Sequence, residues 1–158
     1  MQTTARDIDW KYYWGNPNRR NNNIKRRNNE EEKHQKTFVE FCEYKNIAGS
    51  NKKIGSYLLH IANGGMRNKV EAKKLKRLGV KAGVPDLFFA YPCSGYSGLW
   101  IEMKSKKGII SKNQAVWIER LRHVGFRVCV CYSCDEAIEA ILSYMKGNTN
   151  QNIIGDKA

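Results

Sequence analysis

Residues 83–104, GVPDLFFAYPCSGYSGLWIEMK, decide the fold. Two largely apolar runs, at 87–91 and 99–104, are separated by a turn segment that is rich in Gly, Ser and Pro. Short apolar runs bounded by such residues are typical of β-strands. The stretch therefore predicts a hairpin of two strands.

Helices and strands are predicted on both sides of this hairpin. Apolar periodicity indicates a helix over about 30–45, a strand over 57–62, a helix over 111–124, a strand over 126–132 and a helix over 133–147. Ser111 and Gln114 have the spacing of a capping box at a helix start. The strand over 126–132 is apolar on both faces and is therefore expected to be central in its sheet. This order predicts an α/β fold in which helices cover a small mixed sheet.

Length and composition allow one compact domain. The chain has 158 residues, of which 41% are hydrophobic, and we assign the domain to residues 30–147. Residues 1–29 predict a flexible basic arm, rich in Asn, Arg and aromatic side chains, that either lies on phosphates or is only a solvated tail. Residues 148–158 predict a loose tail. No apolar run is long enough for a membrane helix and the chain starts without a secretory signal, so a cytoplasmic protein is expected.

The net charge of +13 indicates a polyanionic partner. The chain has 28 Lys and Arg against 15 Asp and Glu, and nucleic acid is the commonest polyanion bound by such proteins. The segment 67–81 is strongly basic and predicts a DNA-facing surface, with a solvated helix face as the alternative. The candidate DNA-binding residues are Arg67, Lys69, Lys73, Lys74, Lys76, Arg77, Lys81, Lys106 and Lys107.

Asp86, Glu102 and Lys104 form the candidate catalytic set. Glu102 and Lys104 are two residues apart on a strand, so their side chains leave the same face, and Asp86 begins the partner strand. Two carboxylates at hairpin distance suit Mg²⁺ or Mn²⁺, and the backbone carbonyl of Met103 could supply a further ligand. Glu-x-Lys alternation also occurs on ordinary strands with one solvated face, but three charged groups beside apolar strands would be costly without a metal or mutual pairing. The set therefore predicts metal-dependent phosphodiester hydrolysis.

Two further side chains are candidates for the same site. Gln114 shares a helix face with apolar residues, and it can complete the capping box, reach the site, or do both. Glu32 shares a helix face with Gln35 and could face the metal from the first helix, or it could belong to an ordinary acidic helix start. Spacing alone leaves open which of Glu30, Glu31 and Glu32 faces the site.

The cysteines and histidines form no second catalytic pattern. Cys129, Cys131 and Cys134 could suggest zinc, but no second Cys pair or spaced His pair accompanies them. The odd total of five cysteines argues against a disulfide framework, so free thiols that pack in the core are the favoured interpretation. For His60, a packed core position is favoured over a catalytic one.

Several motifs together resemble the VRR-NUC (virus-type replication-repair nuclease) family. They are GVKAGVPDL at 79–87, EMK at 102–104, SKNQ at 111–114 and GFRVCV at 125–130, with EKHQ at 32–35 and HIANGG at 60–65. The resemblance covers about residues 30–146. Each motif alone is weak, whereas the combined pattern is specific.

This resemblance implies a PD-(D/E)XK nuclease fold, like that of restriction endonucleases, and dependence on Mg²⁺ or Mn²⁺. It implies Asp86 and Glu102 as metal ligands, Lys104 as the catalytic lysine, Gln114 as the helix glutamine and Glu32 as the acidic residue of the first helix. Small members that stand alone are similar to homodimeric, structure-specific endonucleases that cut branched DNA, such as Holliday junctions or flaps, in replication, repair or recombination. A non-catalytic nucleic-acid-binding module of the same fold and an RNA-processing nuclease stay open as alternatives.

Overall fold

The structure is a computed structural model that describes residues 24–61 and 69–146 of the chain. Side chains are described from Glu30 onward in the first range and from Glu71 onward in the second. The predicted arm up to residue 23, the basic residue Arg67 and the predicted tail at 148–158 lie outside the described residues.

Four strands form one mixed sheet, as the sequence predicted. They are β1 (Leu58–His60), β2 (Leu87–Phe89), β3 (Leu99–Met103) and β4 (Arg127–Cys131). The strands are arranged in chain order, with β1, β2 and β3 antiparallel and β4 parallel to β3. The parallel pair requires a crossover connection, which a helix between β3 and β4 provides.

Four α-helices accompany the sheet within the described residues. They are α1 (Ile24–Tyr44), α2 (Lys69–Arg77), α3 (Lys112–His123) and α4 (Cys134–Lys146). α1 begins at Ile24, which is earlier than the predicted start near Glu30. None of the helices in the described ranges is long and apolar enough to cross a membrane.

Two apolar clusters lie on opposite faces of the sheet. The larger cluster joins one face to α1 and α4, and its fully buried members include Phe38, Leu87, Leu99, Ile101, Ile141 and Tyr144. The smaller cluster joins the other face to α3 and consists of Ile110, Ile118, Leu121 and Val128. Because successive residues of a strand point to opposite faces, β3 and β4 contribute alternate side chains to both clusters.

The turn between β2 and β3 is fixed by its backbone and by α4. Ser94 and Gly95 have φ angles of 55° and 79°, the left-handed conformation that a tight two-residue hairpin turn of type I′ requires. Cys93 and Tyr96 close the turn through two backbone hydrogen bonds of 3.1 and 2.9 Å. The Ser94 hydroxyl donates to the carbonyl of Tyr144 at 2.7 Å, which ties the hairpin to α4.

The prediction that the strand at 126–132 is central is wrong. Within the described residues β4 pairs only with β3, so it forms an edge of the sheet. Its side chains are still covered on both faces, because Val128 packs in the α3 cluster and Cys131 packs in the α1–α4 cluster. Helices on both sides, and not neighbouring strands, therefore account for its apolar composition.

Candidate active site

Glu102 is a fully buried carboxylate in the middle of the sheet. It lies on β3 and its side chain leaves on the α3 face, whereas Ile101 and Met103 enter the opposite cluster. Its exposed fraction is 0%. Burial is the main cause that raises the pKa of Glu102 from 4.5 to about 7, and the carboxylate of Asp86 raises it further. A positive charge nearby is therefore favourable for the ionised form of Glu102.

Lys104 supplies one positive charge to Glu102. Its Nζ atom lies 2.5 Å from Oε1 of Glu102, and both side chains are at most one-tenth exposed. Burial alone would lower the pKa of Lys104, but the carboxylate of Glu102 raises it above the ordinary value of 10.5. The lysine therefore stays an ammonium at neutral pH, and its chemistry is that of a fixed cation.

Asp86 stands immediately before β2, beside Glu102. The register pairs Leu87 with Ile101, and its continuation by one residue places Asp86 opposite Glu102. Oδ2 of Asp86 accepts a hydrogen bond of 2.9 Å from the backbone N–H of Met103. Burial raises the pKa of Asp86 above the ordinary 3.8, so this carboxylate too is held in a poorly solvated place.

The loop before Asp86 is held against the first turn of α3. Gly83 has a φ angle of +88°, and a Cβ atom at this position would lie 2.6 Å from the backbone carbon of Asn113. Only glycine combines this backbone conformation with so close an approach. Pro85 follows and is buried. Together these residues bring the Asp86 loop next to the helix that carries Gln114.

Gln114 performs both of the tasks that its position predicted. Its Oε1 accepts a hydrogen bond of 2.9 Å from the backbone N–H of Ser111, and its own N–H donates to the Ser111 hydroxyl, so the capping box is complete. Its Nε2 donates to Oε1 of Glu102. The amide thus uses its oxygen to start α3 and its nitrogen to orient the buried carboxylate.

The first helix brings Glu31 to the site, and not Glu32. Oε1 of Glu31 accepts a hydrogen bond of 2.9 Å from the backbone N–H of Ser105, the residue after Lys104. Glu31 is half-buried, and its charge acts on the pKa values of Asp86, Glu102 and Lys104. Glu32, the residue that the family resemblance implied, is exposed.

Helical periodicity could have identified Glu31 from the sequence. Phe38 and Cys42 are fully buried and mark the inner face of α1. Counting back seven residues from Phe38, which is close to two helical turns, leads to Glu31. The sequence interpretation instead relied on the EKHQ motif at 32–35, which places the inner face one residue too late.

The predicted DNA-binding residues that are described are exposed cations. Lys106 and Lys107 lie in the loop that follows Lys104, while the backbone of Lys69 starts α2. The exposed members of the set are Lys73, Lys74, Lys76, Arg77, Lys81, Lys106 and Lys107. Of these, Lys106 and Lys107 place two exposed charges next to the end of β3.

The histidines and cysteines are placed outside the carboxylate cluster. All five cysteines are free thiols. His60 is exposed, so its predicted place in the core is wrong, although its charge lowers the pKa of the nearby Asp86. Nδ1 of His34 accepts a hydrogen bond of 3.3 Å from the backbone N–H of Cys134, which joins α1 to the start of α4.

The donor set around Glu102 fits a divalent cation. Oε2 of Glu102 is buried and has no hydrogen-bond partner among the described residues. Extending the β2–β3 register by two residues places Met103 opposite Pro85, which has no N–H to offer to the Met103 carbonyl. The described residues contain no group of three or more His, Cys, Asp or Glu side chains able to hold a metal. The oxygen donors available at this place are the carboxylates of Asp86 and Glu102 and the Met103 carbonyl, an all-oxygen set suited to Mg²⁺ or Mn²⁺.

The comparisons with known proteins agree with one another. The VRR-NUC domain model matches residues 20–135 of the chain. A solved structure described as "VRR_NUC domain protein" is similar with a TM-score of 0.64 and 29% sequence identity, and the match covers 73% of this chain and 88% of that chain. No curated protein matches the chain.

The raised carboxyl pKa values predict how stability depends on pH without metal. A carboxyl group with a raised pKa favours folding in its protonated form, so its contribution is fully present below the ordinary pKa and is lost as pH rises through the raised value. For Glu102 this window runs from about 4.5 to about 7. Asp86→Asn removes the neighbouring negative charge and should reduce the loss of stability in this window by on the order of 1 kcal/mol.

Urea unfolding of the metal-free protein across that pH range measures this difference. Glu119→Gln, which removes an exposed carboxylate from α3, serves as the control. Equal pH slopes for the wild type and Asp86→Asn would show that the two carboxylates do not interact.

Proposed function

The chain belongs to the VRR-NUC family of nucleases, and we propose that it is a metal-dependent, structure-specific DNA endonuclease that hydrolyses phosphodiester bonds in branched DNA. The observation that carries the proposal is the buried Glu102 carboxylate between Lys104, Gln114 and Asp86. Such a cluster costs stability unless a cation and a substrate use it, and its residue types match those needed for phosphoryl-group hydrolysis.

The residues of the cluster divide the chemical work. Asp86 and Glu102, with the Met103 carbonyl, would hold Mg²⁺ or Mn²⁺, which when bound neutralises phosphate charge and makes a nearby water more acidic. Lys104 can orient the attacking water or stabilise the negative charge that develops on the scissile phosphate. The water oxygen forms a bond to phosphorus while one sugar oxygen leaves, so no covalent enzyme intermediate is needed.

Gln114 and Glu31 act on the geometry of this cluster. Gln114 holds Oε1 of Glu102 and thereby leaves Oε2 without a protein partner among the described residues. Glu31 accepts a hydrogen bond from the backbone N–H of Ser105 and so fixes the chain directly after Lys104. Both are positioning residues in this proposal, because each acts through a neighbour.

Exposed lysines would bind the phosphate backbone around the cluster. Lys106 and Lys107 follow Lys104 by two and three residues, and the cations of α2 add to the positive surface. Contacts of this kind release counterions, so affinity should fall steeply as the salt concentration rises. They position the nucleic acid without reading its sequence.

The proposed preference for branched DNA and the proposed homodimer rest on the family resemblance and on symmetry. A two-fold dimer presents two identical sites, which suits a substrate with two equivalent strands at a four-way junction. Labelled duplex, flap, single-stranded and four-way DNA, and the matching RNA, incubated with Mg²⁺, Mn²⁺ or chelator, test the substrate. The proposed dimer would be contradicted if sedimentation detected only monomer with and without DNA. Selective cleavage of RNA would contradict the proposal that DNA is the substrate.

Replacing the buried lysine tests the catalytic assignment. Lys104→Met keeps the length of the side chain and removes its charge, and we expect cleavage to fall by at least about 100-fold because an electrostatic donor to the reacting phosphate is lost. DNA binding in chelator should change little. Lys106→Met, which removes an exposed charge two residues away, is the matched control and should reduce binding without abolishing cleavage. Undiminished cleavage by folded Lys104→Met would refute the assignment.

A pair of adjacent variants tests which acidic residue of α1 serves the site. Glu31→Gln weakens the hydrogen bond to Ser105, and we expect it to lower kcat about tenfold or more, since small displacements of catalytic groups are costly. Glu32→Gln removes the same charge from the exposed side of the helix and should leave kcat unchanged. If Glu32→Gln lowered kcat and Glu31→Gln did not, the acidic residue of α1 that serves the site would be Glu32 and not Glu31.

A further inference from the structure

The α3 face of the sheet is only partly covered. One cross-strand row on this face runs through Leu59, Phe88, Trp100 and Val128. Val128 is 5% exposed beneath α3, Phe88 and Trp100 are half-buried, and Leu59 is 52% exposed. The helix therefore shelters the β4 end of the row, and Phe126 packs edge-on against both aromatic rings. Within the described residues, the aromatic floor of Phe88 and Trp100 is left open on the side towards β1.

The open floor adjoins the carboxylate cluster. Asp86 and Glu102 form the next row on the same face, two residues along their strands from Phe88 and Trp100. Two residues of a strand span roughly 7 Å, which is close to the spacing of successive nucleotides in an extended single strand. The Phe88 and Trp100 rings are stacked with centroids 4.4 Å apart.

α3 carries a further aromatic group and a cation on the flank that is turned away from β4. Asn113, Trp117 and Arg120 have the spacing i, i+4 and i+7, so they form one stripe along the helix. Asn113 meets Gly83 of the loop that carries Asp86, which shows that the stripe begins beside the cluster. The opposite flank faces β4, since Arg122 donates to the carbonyl of Val128 at 3.1 Å.

Trp117 and Arg120 form a cation–π pair on this stripe. The guanidinium carbon of Arg120 lies 5.7 Å from the centre of the Trp117 ring. Arg120 is exposed and Trp117 is half-buried against the α3 cluster. Trp117 stands about one helical turn from Gln114, roughly 5 Å along the helix axis, and Arg120 stands nearly two turns away, roughly 9 Å. Aromatic side chains stack on any of the four bases, and a cation nearby can bind the adjoining phosphate.

We propose that the Trp117–Arg120 pair, with the Phe88–Trp100 floor, binds an unpaired nucleotide of the DNA strand next to the scissile phosphate. A base within a duplex is stacked on its neighbours and cannot reach an aromatic floor, whereas a base beside a fork or junction can. The pair thus favours DNA that is unpaired within one or two nucleotides of the cut. This inference rests on the proposed nuclease site, which sets the position of the phosphate.

Binding of the full chain to forked and fully paired DNA of equal length, in chelator, tests the inference apart from cleavage. Trp117→Leu keeps an apolar side chain and removes the aromatic face. Because one base–aromatic stack is lost, we expect the affinity for forked DNA to fall about tenfold. The affinity for fully paired DNA should stay unchanged. Arg120→Gln should lower the affinity for forked DNA severalfold. Arg122→Gln removes the same charge from the opposite flank and should reduce both affinities equally.

Fluorescence of 2-aminopurine in the unpaired strand gives a direct readout of stacking. We expect binding to change the fluorescence of 2-aminopurine at the first or second unpaired position. Trp117→Leu should diminish that change, and so should Arg120→Gln, which alters an exposed side chain. The inference would be overturned if both variants lowered the affinities for forked and fully paired DNA equally. It would also be overturned if binding left the 2-aminopurine fluorescence unchanged. Failure of the wild type to cut any DNA would instead overturn the proposed nuclease function, because these binding measurements need no metal.

Discussion

The rest of the site depends on the burial of one carboxylate, Glu102, inside the sheet. A charge with no access to water is costly unless its neighbours compensate for it. Lys104 and Gln114 both bind Oε1, and Oε2 has no partner among the described residues. The pKa of about 7 expresses this incomplete compensation. A fold that tolerates such a group gives up stability at this place, as is common at functional sites.

The two apolar clusters make this burial possible. β3 lies between β2 and β4 and is covered on both faces, so alternate residues of one strand reach two different environments. Ile101 and Met103 anchor the strand in the larger cluster, and this anchoring fixes the direction in which Glu102 points. The glycine contact at Gly83 then sets how closely the Asp86 loop approaches α3. The geometry of the site follows from rigid packing on either side of it.

The same arrangement separates chemistry from binding. The cluster is buried, while Lys106 and Lys107, which follow it in the chain, are exposed and have long flexible stems, as phosphate contacts require. α3 does not cover the whole sheet, and the uncovered part carries aromatic rings next to the carboxylates. The proposed preference for DNA that is unpaired beside the cut would depend on this combination of exposed cations with uncovered aromatic rings.

The sequence by itself determined the elements, the mixed α/β fold and the proximity of Asp86, Glu102 and Lys104. These follow from local rules, because strand alternation, turn residues and the capping box act over a few neighbouring positions. Only the tertiary structure decided that β4 is an edge strand and that His60 is exposed. Each of these depends on which helix or strand packs against which face, and that information lies in contacts between residues far apart in the chain. The aromatic floor of Phe88 and Trp100 likewise depends on tertiary packing, since it lies on the part of the sheet that α3 leaves uncovered.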